Sequence, residues 1–270
     1  MNLPFQKNAA NRFYELDALR GFSVILMVIY HFLFTLEYFN IRPMPGWLWP
    51  QQFYGFPITF LFIFIAGISL TLSASKTKDS KTLTQKMLKR GIFIFSVGLL
   101  ITAATWIYPH DGAILFGVLH LIGFSTILAI PFLIGGTKEK YEKRAGETQV
   151  SGKMKNLFLI LTPLVFGIVV IALSKIVEKM SGPIWMIPLG IHPYGFYSLD
   201  YEPLFPWFGV VLIGIAAGFL LYPKGERRFA EPVYLKGFSW IGRHSLEIYL
   251  VHQPIILAGL YLVEMSFIIL

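Results

Sequence analysis

The sequence predicts an all-α, polytopic membrane bundle of about seven transmembrane helices, N-terminus cytoplasmic, in a single integral membrane domain covering residues 1–270. Three observations predict it. Of the 270 residues, 55% are hydrophobic and only 14% are charged, a balance too apolar for a water-soluble domain. Apolar runs of about 20 residues recur along the chain, and such a run, rising about 1.5 Å per residue as a helix, crosses a hydrocarbon core of about 30 Å. The basic residues gather between alternate runs, which is how orientation is encoded in helical membrane proteins.

The first span runs from about Leu16 to Tyr38. Met1 to Asn11 lacks the apolar stretch and small-residue cleavage site of a signal peptide, so this span is expected to be retained. Phe39 to Gln52 is rich in Pro and Trp, and Trp47 and Trp49 suit a membrane interface. A second span, Phe53 to Ser73, leads into Lys76 to Arg90, with six Lys or Arg against one acid. The third, Gly91 to Tyr108, meets a short turn at Pro109 to Gly112, and the fourth returns from Ala113 to Ile134. Gly135 to Lys155 adds six basic residues and reads as the one long soluble stretch. The fifth span is Leu157 to Leu173. Ser174 to Pro203, with Gly182-Pro183, Pro188 and Pro193, reads as interfacial or re-entrant, since irregular backbone at membrane depth needs protein or water beside it. Leu204 to Tyr222 is the sixth span, five basic residues follow between Lys224 and Arg243, and Ser239 to Leu262 is the seventh.

With Lys7, Arg12 and Arg20, the three basic stretches hold 20 of the 23 Lys and Arg. Seven spans put all of them on one side, the cytoplasm by the positive-inside rule. The net charge of +8 is thus a topology signal, and no nucleic-acid partner is expected. Cysteine is absent, which excludes disulfides, thiolate metal sites and a cysteine nucleophile.

At about 100° per residue, Asp17, Arg20, Val24, Met27 and His31 fall near one stripe of the first helix. Ionisable groups are costly in hydrocarbon, so that stripe should face a bundle or a water-filled cavity. His120, Asp200, Tyr201 and His252 fall in the outer half; Lys89, Arg90, Lys236, Arg243 and His244 fall at cytoplasmic ends. Plainer roles exist: a histidine that only bonds a neighbouring helix, cations that snorkel to headgroups, and Glu247 paired with Arg243 or His244 one helical turn away. No Gly-x-x-x-x-Gly-Lys and no His-Glu-x-x-His occurs, and the histidine spacing matches no compact metal motif, so no metal is expected. A histidine base beside a cationic inner vestibule suits proton removal from an acceptor next to a polyanionic donor.

Several stretches carry a family resemblance. Arg20, ten intervening residues and His31 match the Arg-x10-His signature of the membrane acyltransferase superfamily, whose members move acyl groups onto extracytoplasmic glycans. More closely, Glu15-Leu-Asp17-Ala-Leu-Arg20-Gly21, Phe62-Ile-Phe-Ile-Ala-Gly67-Ile-Ser69, Gly117-Val-Leu-His120, Asp200-Tyr-Glu-Pro-Leu-Phe-Pro206-Trp207-Phe208-Gly209 and Gly242-Arg243-His244-Ser245-Leu-Glu247-Ile-Tyr-Leu-Val-His252-Gln253-Pro254 resemble the heparan-alpha-glucosaminide N-acetyltransferase catalytic-domain family in its short prokaryotic form. The resemblance covers Arg12 to Tyr261 and is weakest from Thr137 to Leu199.

The resemblance implies transfer of an acetyl group from cytosolic acetyl-CoA, the donor substrate, to an amine, or a hydroxyl, of an extracytoplasmic sugar or glycan, by a multi-pass protein of the cell membrane. It implies that His31 accepts the proton and that Arg20, with Asp17, holds the donor or orients the helix. Arg90, Arg243 and His244 would then meet the donor's phosphates, and His120, Asp200, Tyr201 and His252 would line the acceptor side. Lysosomal members carry a catalytic histidine in the segment after the first span; Phe39 to Tyr54 has none. Either His31, with His120 or His252, takes that role, or the acceptor differs. Oligomeric state stays open, a homodimer among the options. Two alternatives explain the same polar track: a transporter or flippase for an anionic or amphipathic solute, which predicts flux without CoA, and a structural subunit whose polar groups only pack helices.

Overall fold

The computed structural model describes residues 13–43, 51–108, 110–145, 149–223, 225 and 235–269. The expectations placed on Met1 to Asn11, Arg12, Trp47, Trp49, Lys224, Arg227 and Arg228 lie outside the described residues. In chain order the helices are α1 (Tyr14–Tyr38), α2 (Gln51–Ser75), α3 (Ser80–Ile107), α4 (Val118–Leu128), α5 (Ile130–Leu133), α6 (Lys138–Ala145), α7 (Gln149–Val177), α8 (Leu204–Leu221), α9 (Lys236–Arg243) and α10 (Ser245–Ile269). Two 3-10 turns, Ile184–Leu189 and Ile134–Gly136, complete the described elements, among which there is no β-strand. The protein is an all-α polytopic bundle. Among the described residues, six helices are long and apolar enough to cross a membrane, and α4 with the segment Ile130–Gly136, bent by 56°, makes a seventh when the pair is one broken span.

Four boundaries differ from the sequence expectation, each for a local reason. α3 starts at Ser80 rather than Gly91, because Asp79 caps it: one carboxylate oxygen accepts from Thr82 N at 2.9 Å and the other from the Thr82 hydroxyl at 2.8 Å. The basic stretch is therefore largely helix, and Lys86 Nζ reaches back 3.4 Å to the Ser73 carbonyl near the end of α2. The fourth span bends at Ala129 because Pro131, in the first turn of α5, has no N–H to give the carbonyl of Ile127. Gly135 to Lys155 is not a continuous loop, since α6 and the start of α7 fall within it. The last span begins at Ser245, not Ser239, because the chain leaves helical geometry at His244 (φ −105°, ψ 22°). That break takes Glu247 out of register with Arg243, and the two form no ion pair among the described residues.

The chain divides into two compact units, Met1–Phe62 with Arg227–Leu270, and Ile63–Glu226. In the second, α8 is the core helix: Val210, Val211, Leu212 and Ile215 are at most 2% exposed and pack with Ile63, Leu121 and Leu133. α2 comes close enough to α8 that a Cβ on Gly67 would meet the Val211 carbonyl and one on Gly214 would meet that of Phe64; small residues let membrane helices approach this closely. Of the segment Ser174 to Pro203, Ser174 to Val177 still belong to α7, and the rest folds as turns outside any spanning helix, with Gly182 N donating to His192 O at 3.3 Å and Gly190 at φ +100°, a conformation that glycine adopts without strain. In the first unit, α1 packs on α9 and α10. Leu19, Phe22, Ile29 and Phe32 form its exposed face, whereas Gly21, Val24, Met27 and Thr35 are buried.

Candidate active site

The polar stripe of α1 turns away from its exposed apolar face, as hydrocarbon outside and protein inside require. At its N-terminal end Arg20 Nη1 lies 3.0 Å from Asp17 Oδ1, with both side chains largely covered. α9 is pressed against this turn: Ser239 Oγ donates to Tyr14 O at 3.3 Å, and a Cβ on Gly242 would meet the Asp17 carbonyl. The contact sets Arg243, which is exposed, and His244 at the same end of α1 as Arg20. His244 Nδ1–H donates to Trp240 O at 2.9 Å, and its ring lies 4.6 Å from that indole, tilted by 39°.

Eleven residues on, about 16 Å along the axis, His31 meets His252 of α10 with ring centroids 4.9 Å apart and planes at 78°. His31 Nδ1 lies 2.9 Å from Met27 O. A carbonyl oxygen only accepts, so Nδ1 carries the proton, and in the neutral ring Nε2 holds the basic lone pair. His252 is fixed the same way, with Nδ1–H donating to Tyr249 O at 2.7 Å. Two imidazoles are thus held in the same tautomer, edge to face, by carbonyls of their own helices.

His120, Asp200 and Tyr201 come together in the second unit, around the N-terminus of α4. His120 accepts from Gly117 N at Nδ1 (3.2 Å), so its proton is on Nε2, 3.3 Å from Thr102 Oγ1. The Thr102 hydroxyl donates to Ile114 O at 2.5 Å and so accepts from the imidazole. Both ring nitrogens of this 1%-exposed histidine are used by the protein. Asp200 Oδ2 accepts from Val118 N at 3.4 Å, a carboxylate at the positive end of a helix. Tyr201 donates its hydroxyl to Ile187 O at 2.8 Å, and burial pushes its pKa up to about 12. Because the folded-state value is raised, the contribution to stability is complete below the unfolded tyrosine value of about 10 and is lost as pH climbs towards 12. Subtracting the alkaline absorbance titration of Tyr201→Phe from that of the wild type is expected to show a phenol ionising above the ordinary tyrosine range. Arg90, half-buried in α3, belongs to the second unit, whereas Arg243 and His244 belong to the first.

The family model described as "Heparan-alpha-glucosaminide N-acetyltransferase, catalytic" matches residues 12–139 and 153–254. The chain belongs to this family. Comparison with curated proteins and with solved structures gave no match. Of the region in which the motifs are weakest, Thr137 to Leu199, the heparan-alpha-glucosaminide N-acetyltransferase match omits only residues 140–152. The protein is a multi-pass membrane protein of an acyltransferase family. Sequence reasoning passed over Thr35 and Gln253 as site residues, although Thr35 stands one turn beyond His31 on the same stripe and Gln253 follows His252. Gln253 Nε2 donates to Thr35 Oγ1 at 3.0 Å, a second polar link between α1 and α10.

Proposed function

We propose that the protein transfers an acetyl group from cytosolic acetyl-CoA to the amine of an extracytoplasmic sugar or glycan, with His31 as the base. The observation that carries the reading is His31 itself: in a chain of this acetyltransferase family it lies on the inward stripe of a spanning helix, with Nδ1 tied to Met27 O and Nε2 left to take a proton. Seven spans, with α4 and α5 counted as one, keep the basic stretches on a single side, which supports a cytoplasmic N-terminus and a donor arriving at the Arg20 end.

A protonated amine cannot attack a thioester. His31 Nε2 takes one proton from the ammonium, and the nitrogen lone pair forms a C–N bond at the acetyl carbonyl carbon. As the tetrahedral centre collapses and the C–S bond breaks, the CoA sulfur leaves with the electron pair and takes up the second proton that the attacking nitrogen gives up, leaving the neutral amide and CoA thiol, and the proton held on His31 passes to water. His252, edge-on to His31 at 4.9 Å, steadies the ring on which this proton rests. Asp17 holds the Arg20 guanidinium to face the donor. Arg243 and His244, on α9 at the Arg20 end of α1, are proposed to meet donor phosphates.

Purified protein in lipid nanodiscs should bind acetyl-CoA and acetylate glucosamine; the absence of both acetyl-CoA binding and thioester cleavage would dismiss the reading. Arg243→Ala is expected to weaken acetyl-CoA binding by about threefold to tenfold at low salt, with the deficit shrinking as salt rises. Unchanged affinity removes that arginine from the donor site.

A further inference from the structure

One turn beyond the two histidines, towards the C-terminal end of α1, Thr35 and Gln253 join α1 to α10. The Thr35 hydroxyl lies 2.6 Å from the carbonyl of His31 and donates its one proton there, so towards Gln253 it can only accept. That sets the amide: Nε2 faces Thr35 at 3.0 Å, and Oε1 is turned to the other side. This oxygen is buried and has no hydrogen-bond partner among the described residues. A buried amide carbonyl without a donor carries a desolvation penalty, a penalty that a ligand bringing an N–H or O–H would remove. Gln253 sits beside His252 and, through Thr35, on the very turn that carries His31.

We propose that Gln253 positions the acceptor: its Oε1 accepts a hydrogen bond from an N–H or O–H of the amino sugar whose amine faces His31 Nε2. The proposal rests on the acetyl-transfer reading and adds a specificity element to it. An acceptor rich in donors is favoured over a bare alkyl amine, and the Thr35 hydroxyl keeps the amide from flipping.

The test uses full-length protein in nanodiscs, with acetyl-CoA as donor and glucosamine as acceptor. Gln253→Met, matched in length but without the carbonyl, is expected to raise KM for glucosamine about tenfold, the loss expected for one hydrogen bond to the acceptor. KM for acetyl-CoA should stay as in the wild type, a split that general loosening of the bundle would not give. Should Gln253→Met fail to fold, Thr35→Val releases the amide and is expected to shift KM for glucosamine in the same direction by a smaller factor. An unchanged KM for glucosamine in a folded Gln253→Met, or in Thr35→Val where that variant stands in, overturns the proposal while leaving wild-type transfer intact. Absence of transfer and of thioester cleavage in the wild type overturns the acetyl-transfer reading and this proposal with it.

Discussion

His31→Ala is expected to lower acetyl transfer to glucosamine by about 10²- to 10⁴-fold, the range supplied by a positioned general base, with the thermal midpoint little changed. The side-chain hydrogen bond is to its own helix, at Met27 O, so removing the imidazole forfeits the edge-to-face contact with His252 and leaves in place the hydrogen bonds to α9 and α10: Ser239 to Tyr14 and Gln253 to Thr35. The rate loss should shrink as pH rises and the acceptor amine deprotonates without help, since the base is needed only while the amine is an ammonium. His31→Gln serves as the sharper comparison, because it keeps polarity and approximate volume but cannot take a proton. Full turnover by either variant at neutral pH would end the case for His31 as the base. A radiolabelled acetyl-CoA pulse without acceptor separates the two routes: label retained on wild type and lost in His31→Ala would mean that the acetyl group rests on the imidazole first.

Much of this was legible in the sequence because hydrocarbon imposes a harsh rule: apolar runs must be helices, and basic loops must stay on one side. The stripe from Asp17 to His31 followed from helical rotation alone, and Val24 and Met27 are buried along it as that rotation requires. What was not legible depended on contacts between distant segments. The bend at Ala129 and the break at His244 turn on single residues inside strongly apolar or amphipathic stretches, where a hydropathy window averages them away. His120 shows the limit for side chains: its sequence context could not say that Gly117 N and Thr102 would occupy its two nitrogens. Gln253 shows the converse, since only the Thr35 hydroxyl, 218 positions away in the chain, fixes which way its amide points.

The largest structural effect is expected from adding one methyl group to α9. The helix holds two glycines, Gly237 and Gly242, and in both positions alanine gains up to about 1 kcal/mol of helix propensity. Their surroundings differ completely. A Cβ at Gly237 would meet nothing within 4 Å, whereas one at Gly242 would run into the Asp17 carbonyl and lie 2.9 Å from Gly21 N. Those are backbone atoms of α1, so no side-chain rotation can make room, and overpacking of this kind costs typically about 1–3 kcal/mol or more. Gly237→Ala should therefore leave the thermal midpoint level or slightly raised, while Gly242→Ala should lower it by several degrees and, by pushing α9 off the Asp17 to Gly21 turn, reduce acetyl-CoA binding as well. Matching midpoints for the two variants would mean that α9 does not seat on α1 in the membrane. The comparison isolates that contact because propensity, side chain and helix are the same in both, and only the neighbour at Asp17 differs.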